Sequence, residues 1–172
     1  MASGIEYYSM LRSVRAVQRC DITLLVIDGK DGLTEQDKRI AGIAHEAGKA
    51  VIILVNKWDI VEKDSNTMSR NVNELRSELK FIEYANIEFV SALTGARMSG
   101  LLSLIEKTME QYQRRISTGL LNDLLTDAVM SNPPSAKGTR VKIFYITQVA
   151  VKPPRFVLFA SDPELVHFSW LR

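Results

Sequence analysis

Residues Ala50-Val51-Ile52-Ile53-Leu54-Val55 form an unbroken apolar run, and the chain then turns abruptly polar in Asn56-Lys57-Trp58-Asp59. A run of this length, rich in β-branched side chains, has no polar face to offer water, so it suits a parallel strand covered on both sides. In such sheets ligands bind beyond the carboxyl ends of the strands. Asn56, Lys57 and Asp59 lie just past that end. An Asp carboxylate there accepts two hydrogen bonds side by side, which matches the N1–H and exocyclic amino group of guanine; adenine has no such donor pair. A Lys stem can lie along a base face while its ammonium stays wet, and an Asn amide can brace neighbouring loops. The bland alternative is turn chemistry, since Asn and Asp are ordinary residues after a strand.

A second stretch shifts the balance. Another apolar segment, Ile87 to Val90, ends in Ser91-Ala92-Leu93. Asn-Lys-x-Asp followed by Ser-Ala-Leu, each at a strand's carboxyl end and in that order, resembles the two base-side motifs of GTPases of the translation-factor class. That resemblance implies a role for each residue. Asp59 reads guanine N1 and N2, Asn56 braces the loops, Lys57 packs on the base, Ser91 supports the loop and the Ala92 backbone N–H meets O6.

Composition sets outer bounds. At 172 residues, with 46% hydrophobic and 24% charged residues, the chain is an ordinary globular one with room for one ample core or two small ones. No apolar run approaches membrane-spanning length, and the Met-Ala-Ser-Gly start has neither a basic region nor an apolar signal core, so a cytoplasmic location is expected. Cys20 is the lone cysteine and reads as a small buried hydrophobe; His45 and His167 are too few and too far apart to suggest a metal site, and both read as helix-surface residues. No metal site and no catalytic residue is expected within the chain. Residues 1–117 carry 16 Lys+Arg against 16 Asp+Glu. Between Ser131 and Ser161, however, Lys137, Arg140, Lys142, Lys152 and Arg155 stand without an acidic residue. They are candidates for RNA or ribosome contact, set against the plainer reading of a hairpin's solvated faces.

Along the chain, Tyr7, Leu11 and Val14 recur at helical spacing over about 6–18, with Arg12, Arg15 and Arg19 towards solvent. Ile22 to Asp28 reads as a buried strand. Thr34 caps a helix running to Ala47, with Gly48 as its stop. Val72, Leu75, Leu79 and Ile82 make the stripe of another helix, and Leu101, Leu104, Ile105 and Met109 that of a helix reaching about Arg114. Strand and helix alternate, which signals parallel α/β units. Past Ile116 the character changes. Leu120 to Val129 is a helix ended by Pro133-Pro134, Arg140 to Thr147 and Arg155 to Ala160 are two antiparallel strands, and Asp162-Pro163 starts a last helix. The expected fold class is α/β, a partial doubly wound domain of the P-loop GTPase type over 1–116, followed by a smaller α+β module over 117–172.

Elements of a working nucleotide triphosphatase are not seen. The chain has no Gly-x-x-x-x-Gly-Lys-Ser/Thr cradle, and Asp28-Gly29 and Asp31-Gly32 lie in a turn without the spacing of a magnesium-organising Asp-x-x-Gly.

Glu6 to Arg12, Gly32 to Gly42, Asn56 to Asp59, Phe89 to Thr94, and Val151-Lys152-Pro153-Pro154 through Asp162 to Leu165 together resemble the Der (EngA) family of bacterial ribosome-assembly GTPases. The resemblance implies two tandem GTPase domains followed by a KH-like domain, with GTP or GDP as ligand and the large ribosomal subunit and its RNA as partners. This chain would be its C-terminal part, beginning after the second domain's phosphate loop and stopping inside the KH-like domain. Mg2+ is expected only with the missing motifs, and hydrolysis only in a whole parent protein. The KH-like stretch departs from RNA-clamping KH domains, because Gly119 and Gly138 do not make a Gly-x-x-Gly loop. The alternative reading is a ribosome- or RNA-docking module with an idle guanine half-site. Incomplete sheets would favour self-association. An unrelated doubly wound enzyme is disfavoured, with no Gly-x-Ser-x-Gly, redox cysteine pair or metal-spaced histidines.

Overall fold

Six of the seven residues of β2 (Ala50–Asn56) are buried, because the strand lies in the middle of a three-stranded parallel sheet, between β1 (Ile22–Asp28) and β3 (Asn86–Phe89). The computed structural model describes residues 2–136, 139–166 and 170. It falls into two compact units, Met1–Tyr112 and Gln113–Arg172.

In the first unit the register runs without a slip from Ile22 opposite Ala50 to Asp28 opposite Asn56, and β3 joins with Phe89 opposite Val55. Side chains alternate across the pleat. One face therefore gathers Leu25, Ile27, Ile53 and Val55 with Val17 of α1 (Ala2–Arg19), Ala41 and Ala44 of α2 (Glu35–Glu46) and Leu75 of α3 (Thr67–Glu78). The other face packs Ile52, Leu54 and Val90 against Leu101, Leu104 and Ile105 of α4 (Leu101–Tyr112). Ile52 and Ile53 are sealed from solvent on opposite faces, and truncating either to Ala costs ~2–5 kcal/mol. A helix cap is worth about 1 kcal/mol. Burial of β2 thus outweighs any single end signal in fixing this unit.

End signals still place the elements. Thr34 forms a reciprocal capping box with Asp37: the Asp37 N–H donates to Thr34 Oγ1 at 3.2 Å, and the Thr34 N–H to Asp37 Oδ2 at 2.9 Å. Gly48, at φ 66°, takes the left-handed turn that ends α2 and starts β2. The expected helix over Val72 to Ile82 is α-helical only to Glu78 and continues as a 3₁₀ turn, Lys80–Ile82, because Leu79 leaves helical geometry at φ −112°, ψ 42°. Its stripe still reaches the core, with Leu79 and Ile82 buried. Cys20 is half-buried rather than enclosed, its thiol beside Thr23 Oγ1. On the α4 face, Leu24 and Val26 of β1 are left open to solvent, 38% and 54% exposed. Among the described residues β1 pairs with β2 alone.

The second unit holds α5 (Thr118–Ser131), capped by the Ser117 hydroxyl, a two-residue ladder of β4 (Ser135–Ala136) with β5 (Thr139–Arg140), and an antiparallel pair, β6 (Ile143–Ala150) with β7 (Arg155–Ala160). The single strand expected over Arg140 to Thr147 is therefore divided. The Val141 N–H donates to the Pro134 carbonyl at 3.0 Å, turning Arg140 back on Ser135, while Lys142 and Ser161 exchange backbone and hydroxyl bonds that start a new ladder. Two amide side chains fasten β6. Asn122 of α5 donates to the Ile146 carbonyl at 2.9 Å and accepts its N–H at 3.0 Å. Buried Gln148 accepts from the Ile116 N–H at 2.7 Å and donates to the Arg114 carbonyl at 2.9 Å. The helix expected after Asp162 is a single 3₁₀ turn, Pro163–Leu165, within the described residues, and Asp162 makes no side-chain cap there. Its continuation, with His167, lies outside the described residues, as does the Tyr7 side chain. No helix among the described residues is long and apolar enough to cross a membrane.

Candidate functional site

The in-register sheet brings the carboxyl ends of β1, β2 and β3 to one rim, and the loops that leave them are tied to one another. Lys57, the first residue after β2, has φ 58°. Left-handed backbone costs a residue with a Cβ roughly 1–2 kcal/mol, so something must hold it. Four contacts do. The Gly29 N–H donates to the Asn56 carbonyl at 2.7 Å, the Trp58 N–H to the Val90 carbonyl at 3.1 Å, and the Ala92 N–H to Asn56 Oδ1 at 2.9 Å. Lys57 Nζ lies 2.6 Å from Asp28 Oδ2. Beneath them Trp58 is buried, its ring 4.4 Å from that of Phe89, and Lys63 Nζ sits 5.7 Å from the indole centre.

Each proposed base-side residue has a definite place. Asn56 turns its amide across to the second loop and bridges it. Lys57 turns the other way, towards β1. Asp59 is exposed, and its carboxylate takes no hydrogen bond among the described residues. Ser91 is buried at 1% exposure; its hydroxyl accepts the Thr94 N–H at 3.2 Å and its N–H donates to the Ala96 carbonyl at 3.1 Å, closing a turn through Gly95 at positive φ, with Arg97, just beyond it, also at positive φ. Ala92 is exposed, and its N–H is already given to Asn56.

Beside the loops lies an open cavity of about 440 Å³, in the size range of small-ligand clefts. Trp58, Met68, Phe89 and Val90 line it with apolar surface, and Asp59, Asp64, Ser91 and Arg97 with polar groups. Asn56, Lys57 and Ala92 are not among its walls. Of the five residues only Asn56 and Ala92 are bonded to each other, and only Asp59 and Ser91 face the cavity. On the cavity wall the Thr67 hydroxyl, the Asn66 N–H and the Arg70 guanidinium hold the Asp64 carboxyl down at about 2. Among the described residues no cluster of three or more His, Cys, Asp or Glu could hold a metal ion.

Asp28 is the site residue that motif reading passed over. Its Oδ1 accepts the Lys30 N–H at 2.9 Å and the Asp31 N–H at 3.4 Å, leaving Oδ2 for Lys57. The bond to Lys57, and then that from Lys30, lowers the Asp28 carboxyl below its usual range; the same pairing raises the Lys57 ammonium. A signal was present in the sequence. Two seven-residue strands, each ending in a polar residue, place Asp28 beside Asn56 if they pair in register.

The basic candidates of the second unit are spread rather than clustered. Lys142 precedes the Ile143 end of the β6–β7 ladder, with Nζ 5.6 Å from the Phe144 ring centre. Arg155 is exposed at the opposite end, paired with Ala150, about 20 Å away at a rise of roughly 3.3 Å per residue. Lys152 stands in the turn at φ 57° and is engaged in an interaction of its own. Arg140 is placed on β5 by its backbone, and Lys137 lies outside the described residues.

Comparison with known proteins gives a consistent picture. Residues 6–111 match the family model described as "Elongation factor Tu GTP binding domain", and residues 115–172 match "KH-domain-like of EngA bacterial GTPase enzymes, C-terminal". GTPase Der of Fusobacterium nucleatum is 57% identical over 171 residues, which is 98% of this chain and 39% of that protein. Translation elongation factor SelB from Methanococcus maripaludis, solved with the GTP analogue GPPNHP, superposes with a TM-score of 0.53 at 19% identity, over 80% of this chain and 27% of that one. Era, solved with MgGDPNP and nucleotides 1506–1542 of 16S ribosomal RNA, superposes with a TM-score of 0.50 at 20% identity, over 86% and 52%. The two structures show a shared fold. The chain spans about two fifths of the length of the curated relatives it matches.

The tie between β1 and the Asn56 carbonyl makes a sharp stability prediction. A Cβ on Gly29 would stand 2.7 Å from the Asn56 oxygen and 3.2 Å from Val61 Cγ2. Since the nearest atom is backbone, Gly29→Ala must push the two loops apart, and a loss of ~1–3 kcal/mol is expected in urea denaturation. Gly42→Ala, with nothing within 4 Å of its Cβ position, should be neutral or slightly stabilising.

Proposed function

The chain belongs to the Der (EngA) family of GTPases, with a GTP-binding domain of the elongation factor Tu type followed by a KH-domain-like module, and from that membership we propose that it reads the base of a guanine nucleotide. The observation that carries this reading is the pairing of the two rim loops. Asn56 Oδ1 clasps the Ala92 N–H while the Asp59 carboxylate is left exposed on the cavity wall, without a partner among the described residues. An ionised carboxylate without donors in a preformed loop is poised for a ligand offering two parallel N–H groups. Guanine offers them at N1 and N2.

In this proposal Asp59 supplies specificity, the methylenes of Lys57 pack along the base, Asn56 and Ser91 keep the loops in place, and O6 shares or displaces the bond that Asn56 now makes to the Ala92 N–H. The ligand is GTP or GDP. The division we propose is a GTP-binding part over 1–116 and a KH-like part over 117–172. The whole Der-type protein, not these residues alone, would hydrolyse GTP and serve maturation of the large ribosomal subunit. Support comes from the family match and from 57% identity to GTPase Der across nearly the whole chain.

A second reading is favoured by one observation, that the Ala92 N–H is already taken. The guanine loops would then be idle and the chain a ribosome- or RNA-docking piece, using Lys142 and Arg155 in a stretch without acids. Binding of ribosomal RNA to the immobilised chain, measured against salt, separates the two. Docking predicts that Lys142→Ala and Arg155→Ala each flatten the salt slope by about 1, with Asp59→Ala without effect.

Self-association is proposed through the open side of β1, where Leu24 and Val26 are exposed beside an edge that pairs with no strand among the described residues. Light scattering at micromolar concentration should show a species larger than the 19.4 kDa monomer, and Val26→Lys should reduce it. For the base site itself, calorimetry should detect GDP but not ADP, and Asp59→Asn should move preference to xanthosine diphosphate, whose acceptor at the amino position suits an Asn side chain. Equal heats for GDP and ADP would end the guanine reading.

A further inference from the structure

Lys57 is asked to do something that a surface lysine does badly. To lie along a flat base, its four methylenes must stop sampling rotamers, and the ordering of one such side chain counts against binding. In the structure this ordering is already done. Lys57 Nζ is 2.6 Å from Asp28 Oδ2, so the side chain is fixed at both ends, by the left-handed backbone at its root and the carboxylate at its tip. The two members differ in exposure: the Lys57 side chain is 58% exposed and that of Asp28 24%. More than half of the Lys57 side chain is thus open to a ligand, while the anchoring Asp28 side chain is largely shielded.

Asp28 is itself held from several sides. Its second oxygen accepts the Lys30 and Asp31 N–H groups, its carbonyl accepts the Gly32 N–H at 2.9 Å, and strand pairing sets it opposite Asn56. The next residue, Gly29, bonds the Asn56 carbonyl. The turn Asp28–Gly32 thus holds the recognition loop twice, once through backbone and once through a side chain. An exposed ion pair of this kind contributes little to stability. Its position beside the base loop gives it another use.

We propose that Asp28 is a positioning residue of the guanine site, acting through Lys57 to preset the side chain that packs on the base, without touching the nucleotide itself. The proposal rests on the guanine reading above. Removing the carboxylate should release the Lys57 side chain, with a loss of about three- to tenfold in nucleotide affinity, the cost of ordering one long side chain.

The test is calorimetric titration of the full chain with GDP for wild type, Asp28→Asn, Lys57→Met and the double variant, alongside nitrogen NMR titration of the Lys57 ammonium. Asn keeps an oxygen for the Lys30 N–H, so the turn should survive, and Lys57→Met keeps an unbranched apolar stem while dispensing with the ion pair. The expected result is a three- to tenfold loss in Asp28→Asn, no further loss from Asp28→Asn in the Lys57→Met background, and a Lys57 ammonium that titrates lower once Asp28 is gone. A merely structural role would alter stability without this coupling. GDP bound equally by wild type and Asp28→Asn, or losses that add in the double variant, would overturn the positioning role and leave the guanine reading standing. Absence of GDP binding by wild type would overturn both, and an ion pair still visible by NMR would then be a feature of the fold alone.

Discussion

Burial of β2 on both faces is the constraint from which the rest of the molecule follows. A strand with no wet side cannot slip by one residue, because a slip would exchange the sets of side chains packed on α2 and on α4. Its neighbours inherit that certainty. Asp28 comes to rest opposite Asn56, and Phe89 opposite Val55, so the polar ends of β1 and β2 and the start of the loop after β3 arrive at one rim without any contact among loops having to bring them there. The loops need only join what the sheet has already aligned.

The joining is shared among several modest contacts. Left-handed backbone at Lys57 opposes the loop's shape by roughly 1–2 kcal/mol. Each of the hydrogen bonds from Gly29, Trp58 and Ala92 returns about 0.5–1.5 kcal/mol, and enclosure of Trp58 against Phe89 adds more. The sum favours the strained turn clearly, yet no one contact decides it. The Asp28 to Lys57 pair is exposed and weak as a stability element. Such an interaction matters chiefly for where it points a side chain.

Family and framework were legible in the sequence because they rest on local signals. The run at Val51 to Val55, the Thr34 capping residue and the Gly48 stop each act within a few positions, and the structure has all three in those roles. Side-chain direction was another matter. The motif assigned Asn56 to bracing the loops, and its amide meets Ala92, 36 residues later, but nothing near Lys57 says that it swings towards Asp28. The division of the strand expected over Arg140 to Thr147 escaped for the same reason: the Pro134 carbonyl that captures the Val141 N–H competes with the ladder from outside the pattern. Gln148 and Asn122 hide similarly, since a polar residue at a core position reads as a flaw until its backbone partners are known.

Trp58 gives these arrangements an optical consequence. Its indole is enclosed directly beneath the loop that holds Lys57 and Asp59, against Phe89 and under the Lys63 ammonium. Apart from Trp170 in the second unit, it is the only tryptophan in the chain. Enclosure of an indole shifts its emission to shorter wavelength and a nearby cation perturbs its intensity. The protein therefore carries an intrinsic fluorophore inside its own candidate base site, and any event that lifts the loop from the sheet will be written in the colour of its emission.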